Sequence, residues 1–203
     1  MKSKFLILLI GFVAATTQPA VHAQTPALSV SGGGLFGATT GTFGWSFTLS
    51  STISVTDLGY FDFGGNGLNE AHDVGIWTST GTLMVSATVP AGTAGTLVGD
   101  FRYVLVSPTL LAPGDYVIGG FESGSSGDPV EVQASTITTA SMITYDGSRS
   151  TAGAALTFPS GDASANGNSY FGPNFEFTAV PEPTTIGLLL FGGLGLCRFA
   201  RKR

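Results

Sequence analysis

Thr42-Phe43-Gly44-Trp45-Ser46-Phe47-Thr48-Leu49 alternates small or polar residues with large apolar ones. A period of two over this run puts Phe43, Trp45, Phe47 and Leu49 on one face of a half-buried strand. The same pattern continues outward. Ile53 to Phe63 reads as a second strand, and Val74 and Ile76 lead into Trp77. Ser79-Thr80-Gly81 predicts a hairpin connection with a left-handed glycine, followed by Leu83, Val85, Ala87 and Val89. Phe101, Tyr103 and Leu105 alternate, and the turn Pro113-Gly114 starts a strand from Asp115 to Phe121. Weaker strands are predicted at Val130–Thr138, Met142–Tyr145, Ala155–Phe158 and Asn174–Thr178. No stretch between 24 and 180 carries a useful 3.6-residue period. Strands without helices imply an all-β chain, an antiparallel β-sandwich of jelly-roll type.

Composition agrees with this reading. The 203 residues are 43% hydrophobic and include 15 Phe and 30 Gly, with 10% charged residues. Disordered chains have the opposite balance. All 13 acids lie between Asp57 and Glu182, where the only bases are Arg102 and Arg149, a formal charge of −11. A body this acidic repels phosphate backbones, which argues against a nucleic-acid partner. The lone cysteine, Cys197, permits neither an internal disulfide nor a thiolate metal site.

The two ends read as addresses. Lys2 and Lys4 precede an apolar run from Phe5 to Ala15, and Val21-His22-Ala23 has the small-x-small form of a signal-peptidase site. Residues 1–23 are thus expected to be a signal helix cleaved between Ala23 and Gln24. At the other end an apolar run, Ile186 to Cys197, precedes Arg198-Phe199-Ala200-Arg201-Lys202-Arg203. As a helix, that run would reach only about 18 Å of a ~30 Å hydrocarbon core. The basic cluster would hold the C-terminus on the cytoplasmic side. The division expected is a signal peptide (1–23), a β-sandwich body (24–179) and a tail (180–203).

Val180-Pro181-Glu182-Pro183, a short Gly-rich apolar helix and a terminal Arg cluster resemble the PEP-CTERM sorting tail, with Pro181, Glu182 and Pro183 as its motif. The resemblance covers about the last 24 residues. It implies transient membrane anchoring through the C-terminal helix, processing by an exosortase, and delivery to the surface or extracellular matrix of an outer-membrane-bearing bacterium that makes extracellular polysaccharide. The body, through "ISVTDLGYFDFGGNGLNEAHDVGIWTSTGTLMVSATVPAGT", "FRYVLVSPTLLAPGDYVIGGF" and "SYFGPNFEFT", resembles a secreted bacterial β-sandwich module of unassigned function. That likeness rests on packing residues and turns, so it implies a fold and not an activity.

Four readings bear on chemistry. Asp62, Asn66, Glu70 and Asp73 stand at positions 1, 5, 9 and 12 of a twelve-residue loop, with Gly67 at position 6. These are oxygen donors at calcium-loop spacing, although Gly64 occupies position 3 and Asp73 replaces the usual Glu. The alternative is a solvated turn. His72, the one histidine left after signal removal, is expected to cap a strand or to hydrogen-bond within that loop, and no Gly-x-Ser-x-Gly elbow supports a triad. Trp45 reads as core. Trp77, out of phase with Val74 and Ile76, is expected on an exposed sheet face as a sugar-stacking platform. Gly32-Gly33-Gly34-Leu35-Phe36-Gly37 matches a dinucleotide fingerprint by letters but lacks the helix such a site needs.

These residues point to an exported, non-enzymatic structural or adhesive protein with no catalytic residues and no required cofactor. The alternative is a carbohydrate-binding module with calcium in the 62–73 loop. The third is a glycan-active hydrolase using a carboxylate pair that 13 acids leave unselected. The expected partners are signal peptidase, an exosortase and extracellular polysaccharide.

Overall fold

The computed structural model describes residues 24–37, 39–164 and 169–180. Ala23, the signal segment, Pro181, Glu182, Pro183 and the C-terminal apolar run lie outside the described residues. Gln24 lies within them.

The chain between is all β. Its strands are β1 (Thr25–Pro26), β2 (Leu28–Ser31), β3 (Gly34–Phe36), β4 (Gly41–Leu49), β5 (Ile53–Phe61), β6 (His72–Thr78), β7 (Leu83–Val89) and β8 (Thr96–Val98). There follow β9 (Phe101–Leu111), β10 (Gly114–Glu122), β11 (Val130–Val132), β12 (Thr136–Thr139), β13 (Ile143–Ala152), β14 (Gly161–Asp162) and β15 (Pro173–Ala179). A 3-10 turn at Phe63–Gly65 interrupts the loop after β5. One antiparallel sheet runs β1-β15-β5-β9-β8, the other β14-β13-β4-β10-β6-β7, and β11-β3 and β12-β2 form two small ribbons.

The apolar face of β4 explains how the sheets join. Trp45 stacks on Phe175 of β15 with centroids 6.0 Å apart, and Phe47 approaches the same ring at 5.1 Å. The indole N–H, which would otherwise be buried without a partner, donates to the Pro173 carbonyl at 2.9 Å. On the opposite face of β4, a Cβ at Gly44 would lie 2.0 Å from the Ile118 carbonyl oxygen. Only glycine allows β10 to approach that closely.

The hairpin joining β6 to β7 has the expected form: Gly81 sits at φ 92°, and the Thr78 amide donates to the Thr82 carbonyl. The predicted strand Val130–Thr138 divides into β11 and β12 at Gln133, whose φ is 52°.

Ala155–Phe158 is not a strand. Residues 153–160 form a loop across the outer face of the six-stranded sheet. The Thr157 amide donates to Thr42 Oγ1 at 3.0 Å, and Pro159 packs over Gly119. The apolar residues of this segment cover a sheet face instead of extending its edge, and the loop builds one wall of a cleft.

Candidate functional site

That cleft, of about 600 Å3, lies on the outer face of the six-stranded sheet. Its floor comes from the polar phase of the alternation that defined β4: Ser46 and Thr48 point outward because Trp45, Phe47 and Leu49 point inward. Asp115 of β10 pairs in register with Thr48. On β13, the register shifts between Tyr145 and Gly147 and leaves Asp146 unpaired in the bulge. Such a bulge re-aims a side chain. Here Thr48 Oγ1 lies 2.8 Å from both Asp115 Oδ1 and Asp146 Oδ2. A hydroxyl carries one proton, so it donates to one carboxylate at a time. The other then has acceptor capacity for a ligand donor.

Arg149 completes the polar floor, its Nε donating to Ser46 Oγ at 3.3 Å. Among the described residues it makes no ion pair, and Phe158 and Pro159 add apolar surface beside Ser160. The cleft thus offers carboxylate acceptors, a guanidinium fork and an aromatic edge around one open space.

Trp77 is not the exposed platform that its phase suggested. It faces outward, but it is 5% exposed because Phe158 packs on it, with centroids 6.2 Å apart. Phe158, which loop 153–160 lays over the indole, lines the cleft together with Tyr116.

The donors of the 62–73 loop are not brought together either. Asp62 is buried and ion-paired, with Arg102 Nε 2.5 Å from its Oδ2. It also accepts the Gly67 amide. Asn66 is exposed, the Glu70 amide donates to Asp128, and Asp73 accepts the Thr88 hydroxyl on β7. Among the described residues no group of three or more His, Cys, Asp or Glu side chains is placed to hold a metal. An internal cation, Arg102, neutralises the Asp62 carboxylate.

His72 does not bond within its own loop. It is fully buried, stacked on Tyr60 at 3.8 Å, with Nδ1 3.0 Å from the Phe121 carbonyl and Nε2 2.9 Å from Asp128 Oδ2. Asp128 also accepts the Asn69 and Glu70 amides, while Glu122 accepts the hydroxyls of Tyr60 and Ser126. Burial, then the charge of Glu122, pushes the Tyr60 hydroxyl well above its ordinary range, so it remains a donor. This network fastens loop 122–128 to the sheet and leaves the imidazole out of reach of any substrate.

Asp115, Asp146 and Arg149 were not singled out by sequence reasoning. Two signals pointed toward them: the polar phase of β4 and the rarity of arginine in the body. No protein-family model matches the chain, and no curated protein does.

Proposed function

We propose that this is an exported, non-enzymatic surface or matrix protein that adheres to extracellular polysaccharide through the cleft between β4, β10, β13 and loop 153–160. The observation that carries this reading is the pairing of Thr48, Asp115, Asp146 and Arg149 on one open sheet face beside Phe158. Sugar hydroxyls hydrogen-bond to carboxylates and guanidinium groups, and the C–H faces of pyranose rings pack on aromatic edges. Crossings between the two sheets support a jelly roll: the chain passes from β4 to β5, back to β6 and β7, over to β8 and β9, back to β10 and β13, and over to β15.

Export rests on the signal-like residues 1–23, and sorting rests on Pro181-Glu182-Pro183 with the basic end. On this reading signal peptidase and an exosortase are processing partners, and the apolar run Ile186 to Cys197 is a transient membrane stop. A glycan array probed with the purified protein tests the reading: neutral matrix polysaccharides should bind the wild type, and Arg149→Ala should lose binding at least tenfold. Equal signals for the two proteins contradict it.

A further inference from the structure

Asp57 of β5 and Glu176 of β15 are register partners on the outer face of the five-stranded sheet, and each is 6% exposed. Two carboxylates this close repel each other, and either a bound cation or a shared proton relieves the repulsion. Among the described residues neither has a cationic partner. Of the two body arginines, Arg102 is held by Asp62, and Arg149 lines the cleft on the other sheet. Asp57 accepts only neutral donors, the Gln24 amide at 2.5 Å and its neighbour Thr56.

A third group faces the same space. Tyr103 of β9 is 2% exposed, and among the described residues its hydroxyl has no hydrogen-bond partner. Its ring lies across Gly59, the β5 residue opposite it, where a Cβ would fall 2.5 Å from Cδ1. The ring therefore crosses β5 toward β15 and carries its hydroxyl toward Glu176 and Asp57, whose charges both act on it. A buried hydroxyl without a partner is rare enough to need an explanation. The unpartnered hydroxyl and the carboxylate pair lie on the same outer face of the sheet.

We propose that Asp57, Glu176 and the Tyr103 hydroxyl form a divalent-cation site between β5, β9 and β15, with Gln24 and Thr56 at its margin, and that calcium is the fitting ion. Hard oxygen donors with two carboxylates suit calcium, and so few charged ligands place its Kd at about 0.1–1 mM, the range of extracellular modules. The ion would tie the first strand to the last across the centre of the sheet. The site is separate from the 62–73 loop and does not depend on the polysaccharide reading.

Terbium, which substitutes for calcium and is excited through a nearby tyrosine, is the probe. Full-length protein should give tyrosine-sensitised terbium emission that millimolar calcium displaces. Tyr103→Phe should reduce that emission severalfold. Calcium should raise Tm by several degrees in the wild type and in Asp73→Asn, but not in Asp57→Asn/Glu176→Gln. The amide pair preserves shape and removes the repulsion, so in EDTA it should melt no lower than the wild type. No emission and no calcium shift in the wild type, an unchanged response in the double variant, or a response lost in Asp73→Asn would each overturn the proposal.

Discussion

Arg102 Nε lies 2.5 Å from Asp62 Oδ2, and the same guanidinium donates to the carbonyls of Gly95 and Gly65. One buried side chain thus closes the 62–67 turn and the loop before β8 onto β9. Removing either partner leaves an uncompensated buried charge, which costs about 3–5 kcal/mol. Arg102→Met and Asp62→Leu should each lose that much in urea denaturation. The double variant should recover a large part of it, because an apolar pair strands no charge. Equal losses in the single and double variants would show that packing of the stems, and not the charge pair, holds the turn.

Phe158 shields Trp77 from solvent. Phe158→Ala should therefore shift the tryptophan emission to the red and increase acrylamide quenching, with Trp45 still buried as an internal reference. It should also weaken polysaccharide binding severalfold, since the Phe158 ring lines the cleft. Unchanged quenching would mean that loop 153–160 does not cover the indole in solution.

Stability should depend on pH through the Asp57–Glu176 pair. Burial pushes both carboxyls above their ordinary values of 3.8 and 4.5, and for Glu176 the charge of Asp57 adds to it. The folded state then binds more protons than the unfolded state across that interval. This contribution is present below the ordinary values and is lost as pH rises through the raised ones. In EDTA, wild-type Tm should fall relative to Asp57→Asn/Glu176→Gln as pH rises from about 4 toward neutrality. Parallel curves for the two proteins would remove the pair from the account.

Processing at the two ends is checked by mass. Surface-released protein should begin at Gln24 and lack residues beyond Pro181-Glu182-Pro183. Substituting these three residues with Ala should leave a full-length form retained in the inner membrane. Mature protein that begins at Met1 or retains Arg203 would contradict this pathway.

How far the fold was legible depended on periodicity. The alternation in β4 predicted the strand and its inward face, but not that Thr42 and Ser46 on the other face are buried as well. It failed at Ala155–Phe158, where apolar residues cover the outside of a sheet, a task with no period. It failed at Trp77 for the same reason: phase correctly placed the indole on the outer face, but a distant loop covers that face. The calcium spacing at 62–73 was real in the sequence, yet spacing cannot reveal that Arg102, from a strand distant in sequence, neutralises Asp62. Asp115 and Asp146 meet at Thr48 only because three strands pair in register and one bulges. Nothing local distinguishes them from the other acids.

The central claim is adhesion to polysaccharide through the β4–β10–β13 cleft. Its most direct test is affinity electrophoresis through gels containing the matrix polysaccharide of the producing cells, comparing the wild type with Asp115→Asn/Asp146→Asn/Arg149→Gln. The account predicts strong retardation of the wild type, near-free migration of the triple variant, and the same Tm for both. Equal retardation of the two proteins, or none for either, would contradict it.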